Sequence, residues 1–139
     1  MEEWEKDSRF DRTNLMHTMY SHPMLHSKYL TLLQDYKLKL RKHAMKYAKL
    51  KQTKIRYYSG EMTKEQLEEQ GWQQYLFKKP LKSEMEALLD ADADLQLLQE
   101  ESLYVETLVT ATEAIMKDIS NRYYLFKNLV EYEKFQAGG

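Results

Sequence analysis

Cysteine is absent from this chain, and only two prolines and four glycines punctuate its 139 residues. Without thiols there are no disulfides, no thiol catalysis and no zinc site built on thiolates. So few helix-breaking residues disfavour a sandwich or barrel with many tight turns. No apolar run approaches the length of a membrane span. The first residues are charged (Glu2, Glu3, Glu5, Lys6, Asp7, Arg9, Asp11, Arg12), which is unlike a secretory signal. An intracellular, soluble chain is therefore expected. Catalytic signatures are missing as well. Gly60 and Gly71 stand alone, so there is no glycine-rich phosphate loop, and no nucleophile elbow or metalloprotease motif occurs. A non-enzyme without a cofactor is the expectation.

Acids are missing locally, and that absence is the most informative one. Between Lys37 and Arg56 there are nine Lys/Arg residues and no Asp or Glu, although the whole chain carries a formal net charge of only -1. Tyr36, Tyr47, Tyr57 and Tyr58 stand in or beside this block. Cations neutralise phosphates and aromatic rings offer stacking faces to unpaired bases, so the block points to single-stranded nucleic acid. Its mirror image lies in Ser83–Met116, with nine Asp/Glu and no Lys or Arg. A basic helix packed on an acidic one, or an adaptor for an acidic partner protein, would also account for the block. Isolated surface ion pairs stabilise little, which makes twenty residues without an acid excessive for stability alone.

Periodicity predicts an all-α protein of long heptad-patterned helices with a short connector. Residues 1–60 are expected to form an N-terminal helical region, 61–80 a connector, and 81–139 a C-terminal long helix for packing and self-association. The mixed-charge head carries a short apolar set, Leu15, Met16, Met19 and Tyr20, and Pro23 predicts a bend, because the residue before proline is pushed out of helical geometry. Beyond it Tyr29, Leu33, Tyr36, Leu40, His43, Tyr47 and Leu50 alternate gaps of four and three, a helical seam that Gly60 should end as a left-handed cap. His43, on that seam, is expected to be packed and hydrogen-bonded. In the connector Thr63 and Gln66 form a capping-box pattern for a short helix before Gly71. Trp72, Tyr75, Leu76 and Phe77 are expected to fold the connector back onto the body. A second seam runs through Leu95, Leu98, Ser102, Val105, Val109, Thr112, Met116, Ile119, Tyr123, Phe126 and Val130. Leu97, Tyr104, Leu108, Ala111 and Ile115 lie alongside it, more apolar surface than one partner helix covers. Self-association through Val105, Val109, Met116, Ile119, Tyr123, Phe126 and Val130 is therefore expected.

Metal sites are poorly supported. Asp90–Glu101 opens like a calcium loop, but Leu95 takes the place of the required glycine and Leu98 that of a ligand. Acids in a helix's first turn, favoured by the helix dipole, explain it better. His22 and His26, with His17 nearby, lack a carboxylate or thiol to complete a zinc site. Within the basic block the sharpest candidate for a binding spot is Lys51–Tyr58. There Lys51 and Lys54 fall on or beside the seam where a leucine is expected. The candidate DNA-binding residues are Arg41, Lys42, Lys46, Lys49, Lys51, Lys54, Arg56, Tyr57 and Tyr58.

Several segments resemble the UvsY-type recombination mediators of myovirus bacteriophages. Tyr57-Tyr58-Ser59-Gly60 after a basic helix is similar to that family's YYSG segment. Lys82-Ser83-Glu84-Met85, with Leu89, Ala91-Asp92 and Asp94 downstream, is similar to its KSEM…L.AD.D segment. The ending Phe135-Gln136-Ala137-Gly138-Gly139 resembles F-E-A-G-K, with Gln136 and Gly139 as departures. Asp11, Thr13, Leu15, Met24-Leu25, Ser27-Lys28 and Leu30 fall at matching offsets, so the resemblance spans nearly the whole chain. It implies a non-enzymatic accessory protein of phage recombination and repair that binds single-stranded DNA. Such a protein forms a ring-like homo-oligomer, a heptamer, and helps a phage RecA-like recombinase load onto DNA coated with the phage single-strand-binding protein. Its place would be the cytoplasm of the infected bacterial host. The resemblance also places DNA binding in the basic stretch before YYSG. One of two basic residues important there matches Lys54; the other falls on Gln52, a departure beside Lys51. It assigns self-association to the C-terminal region.

Overall fold

A computed structural model of the chain describes residues 2–9 and 15–138. Asp11, Arg12, Thr13 and Gly139, and the side chains of Leu15, Met16 and His17, lie outside the described residues. Every regular element among the described residues is a helix: α1 (Glu2–Asp7), α2 (Leu15–Tyr58), α3 (Lys64–Gln70), α4 (Lys82–Asp90) and α5 (Ala93–Gly138). The expected all-α class is what the chain adopts.

The helix ends follow local chemistry. Gly60, at φ +73°, takes the left-handed conformation after α2, and the Glu61 N–H reaches back to the Arg56 carbonyl at 3.0 Å. Thr63 caps α3 with a reciprocal pair of bonds: the Gln66 N–H donates to Thr63 Oγ1 at 3.2 Å, and the Thr63 N–H donates to Gln66 Oε1 at 3.0 Å. Gly71, at φ +70°, closes the same helix. Asp92 stands just before α5, where its Oδ1 accepts the Leu95 N–H at 3.0 Å and satisfies a first-turn donor.

Two helix boundaries differ from those the sequence predicts. First, α2 begins eight residues before Pro23 and continues through it as helix. The proline removes one backbone bond, and the residue before it packs on α5, the His22 ring standing edge-on to Phe126 at 5.3 Å. Second, residues 81–138 form two helices, because Asp92 ends one run and caps the next.

The chain divides into two compact units, Met1–Leu38 with Glu106–Gly139, and Lys39–Val105. In the first, Tyr29, Ile115 and Ile119 form a buried cluster that Trp4, Leu25, Leu32 and Met116 flank. Trp4 meets Tyr29 edge-on at 5.2 Å, and the Arg122 guanidinium lies 5.2 Å from the Trp4 ring while donating to the Ser8 carbonyl. Thr112 is fully buried and donates its hydroxyl to the Leu108 carbonyl at 2.7 Å, so no polar atom is stranded there. In the second unit α2 and the start of α5 run antiparallel. Tyr47 accepts from Gln99 Nε2 at 3.1 Å, and further along α2 Lys54 meets Asp94. Leu89, Leu95 and Val105 are buried in this unit. His43 packs as expected but is not hydrogen-bonded at Nδ1, which is buried without a partner; the Glu101 carboxylate is 3.8 Å away.

Candidate nucleic-acid interface

The basic residues of α2 in the second unit fall into two groups. Lys42, Lys49 and Arg56 recur every seven residues on the face opposite the seam, and Arg41 and Lys46 flank them. All five are exposed. None of Arg41, Lys42, Lys46 and Lys49 makes an ion pair with another described residue, whereas Arg56 Nη2 donates to Gln66 Oε1 at 3.1 Å. Met45, more than half exposed, interrupts the charges along the same face. Lys51 is exposed on the flank, at the rim of a groove lined by Ile55, Lys82, Met85, Glu86, Leu89 and Asp90.

Lys54 belongs to the other group. It retains 6% of its surface, and its Nζ lies 3.1 Å from Asp92 Oδ2 and 2.8 Å from Asp94 Oδ2. The same ammonium stands 4.0 Å from the centre of the Trp72 ring and 5.7 Å from that of Tyr57. A cation over an indole face gains from the ring quadrupole, more so when desolvated. Tyr58 completes the cluster by donating its hydroxyl to Asp92 Oδ2 at 2.6 Å. Burial alone would raise the Asp92 carboxyl, yet the bonds from Tyr58, the Leu95 N–H and Lys54 together hold it below the usual carboxylate value. Burial, and then the bond to Asp92, push the Tyr58 hydroxyl above its ordinary value.

Tyr57 and Tyr58, candidate stacking faces in the sequence, are half-buried against the connector. Tyr57 packs edge-on against Trp72 at 5.3 Å and donates its hydroxyl to the Gln73 carbonyl at 2.6 Å. Tyr58 meets Tyr75 edge-on at 5.1 Å. The connector thus folds back through Trp72 and Tyr75. Leu76 and Phe77 do not take part in burial, being 84% and 77% exposed.

The seam residues expected to self-associate are also divided. Val105, Val109, Ile119 and Phe126 are buried within the chain, and Met116 and Val130 are half-buried. Tyr123 is exposed, as are Leu97, Leu103, Tyr104, Tyr124 and Leu125 on other faces of α5.

Asp92, Asp94 and Trp72 were not foreseen as partners of Lys54. Two clues point to them. Lys54 follows Leu50 at a spacing of four on the buried side, so its charge requires a partner. An antiparallel pairing of the basic and acidic runs then brings the head of the acidic run to the end of the basic one.

With this geometry in place, comparison with known proteins is decisive. Residues 3–139 match the family model described as "Recombination, repair and ssDNA binding protein UvsY". The chain belongs to the UvsY family. It is 28% identical over 138 residues to the recombination protein uvsY of Enterobacteria phage T4, covering 99% of this chain and 94% of that protein. Crystal structures of the bacteriophage T4 recombination mediator protein UvsY share the fold. One lattice form superposes with a TM-score of 0.83 at 24% identity, covering 99% of this chain and 94% of the other. Another gives 0.78 at 23% identity, covering 98% and 97%. The resemblance carried by the YYSG and KSEM segments therefore agrees with a full-length relationship.

Proposed function

We propose that this chain is a single-stranded DNA-binding recombination mediator, non-catalytic, which promotes loading of a RecA-like recombinase onto DNA coated with single-strand-binding protein. The single observation that carries the reading is the unpaired row Arg41, Lys42, Lys46 and Lys49, on a helix of a family described as binding single-stranded DNA. Internal charge pairing, the competing explanation, accounts for Lys54 in this unit and leaves that row unneutralised. Phosphates supply the missing counter-charge, and their binding releases condensed counterions. Contacts to the backbone carry no base code, so little sequence preference is expected. One row binds weakly; several rows on a homo-oligomeric ring, a heptamer in this proposal, raise the effective concentration. Self-association belongs on the exposed apolar side chains of α5, Tyr123 among them, since the buried seam positions serve the chain's own core. The working place is the cytoplasm of an infected bacterium.

Salt titration tests the reading. Binding to mixed-sequence single strands should weaken steeply with salt, and a Lys42→Ala/Lys46→Ala/Lys49→Ala variant should lose about 2 from the log–log slope, at about 0.7 per lost phosphate contact. A slope unchanged in that variant sinks the assignment of this face. A wild-type chain without affinity for single-stranded DNA sinks the function itself.

A further inference from the structure

Lys54 sits near the end of the basic segment, yet its surroundings are those of an internal tie. We infer that Lys54 is a positioning residue of the proposed DNA site: its ammonium stays in a cage of Asp92, Asp94, Trp72 and Tyr57 and holds the end of α2 in place, and it does not contact phosphate. The inference rests on the reading of α2 as a single-strand-binding helix.

Three observations carry it. Two carboxylates already neutralise the ammonium, at 3.1 and 2.8 Å, and a phosphate approaching it would meet their negative charge. Asp94, whose side chain is 55% exposed, stands on the open side of the cluster and adds to that repulsion. Access is closed as well, because the lysine keeps 6% of its surface and the Trp72 ring covers it at 4.0 Å. Finally, the cage joins three separate pieces of chain: the last turns of α2, the start of α5 and the connector through Trp72. Lys49, Lys51 and Arg56 lie within five residues of Lys54 on the same helix. Fixing that end holds the last turns of α2, which carry Lys51 and Arg56, helical and in place, so the cage can act on DNA affinity through them.

The salt slope separates positioning from contact, because a structural tie changes affinity while the number of neutralised phosphates stays the same. The experiment uses the full-length chain, a fluorescent oligothymidylate and anisotropy over a series of salt concentrations. Lys49→Met should lower the slope by about 0.7, the signature of one lost contact. Lys54→Met should weaken binding several-fold and leave the slope at the wild-type value, and Lys54→Arg should restore most of the affinity. A slope reduced in Lys54→Met as much as in Lys49→Met overturns the inference while leaving the DNA reading intact. A wild-type chain that shows no binding overturns both.

Should Lys54→Met fail to fold, Trp72→Leu keeps the lysine and its acids and opens the cage. Weakened binding without a lower slope supports positioning. Affinity and slope both unchanged overturn it. A second readout uses Trp72 itself in a Trp4→Phe background. Saturating oligothymidylate should leave its emission unaltered, because the lysine stays in place. A change equal to that produced by Lys54→Met means that DNA draws the lysine out of its cage, and the inference fails.

Discussion

Lys28 in the first unit and Lys54 in the second are built from nearly the same parts. Each lysine meets two carboxylates: Glu3 at 2.9 Å and Asp7 at 2.6 Å for Lys28, and Asp92 at 3.1 Å and Asp94 at 2.8 Å for Lys54. In each case a tyrosine about one turn or less along α2 donates its hydroxyl to one of those acids, Tyr29 to Asp7 at 2.9 Å and Tyr58 to Asp92 at 2.6 Å. A tryptophan attends both, Trp4 on Tyr29 and Trp72 over Lys54 itself. What differs is water. The Lys28 side chain is 40% exposed and that of Lys54 is 7% exposed. A pair in water gains little Coulomb energy and can lose a partner cheaply, whereas breaking a buried pair strands a charge where nothing solvates it. The same constellation is thus a surface fastening in one unit and a structural tie in the other.

The largest test of that contrast removes Asp92. Asp92→Ala takes away one carboxylate of Lys54, the acceptor of Tyr58 and the cap of α5 together. A loss of about 3–5 kcal/mol in unfolding free energy is expected from urea denaturation, the range for a broken buried pair. A loss below about 1 kcal/mol would place the Lys54 cluster with the surface pairs and erase the distinction.

A smaller effect comes from the tyrosines. Tyr58→Phe removes a hydrogen bond to a charged acceptor, worth about 1.5–3 kcal/mol at neutral pH. The wild-type chain should also lose stability in alkali. The Tyr58 hydroxyl lies above its ordinary value in the fold, and burial, then the bond to Asp7, push Tyr29 up to about 12. A folded value above the unfolded one means stability that is complete below about pH 10 and is lost as pH rises through the folded value. Urea midpoints measured from about pH 9 to about pH 12 should fall in the wild type and fall less in Tyr58→Phe. Parallel curves for the two proteins would deny Tyr58 its share.

Much of the architecture was legible because it is local. Thr63 with Gln66 announces α3, Gly60 and Gly71 announce helix ends, and the spacing of Leu95, Val105, Val109 and Ile119 announces the buried side of α5. The unread features depend on partners far along the chain. Pro23 has a local rule against it, yet α2 runs through it and the preceding His22 meets Phe126 of α5. Lys54 meets its acids about forty residues away, and a lysine is read by default as a solvated cation. The candidate site was legible to the same degree. The exposed row Arg41, Lys42, Lys46 and Lys49 follows from charge and helical period, whereas the packing of Tyr57 and Tyr58 depends on where the connector returns. Leu76 and Phe77 show the converse error. Hydrophobicity predicts burial, but the backbone turns them outward after Tyr75 has been packed.

The smallest expected effect is the sharpest on the other side of the comparison. Lys28→Met keeps the apolar stem of the side chain and removes only the charge. The Asp7 carboxyl lies below its usual value chiefly through the hydrogen bond from Lys28, against the opposing effect of burial, and with help from Tyr29. Because a depressed carboxylate stabilises the fold above its unfolded value and loses that contribution as pH falls through the folded one, the variant should differ from wild type least below about pH 4. At neutral pH the difference should be about 0–1 kcal/mol, as for other exposed pairs, and should shrink further in molar salt. A loss at neutral pH as large as that of Asp92→Ala would mean that Glu3, Asp7 and Lys28 tie α1 to α2 as firmly as the Lys54 cage ties α2 to α5, and that exposure is a poor guide to what a charge cluster is worth in this fold.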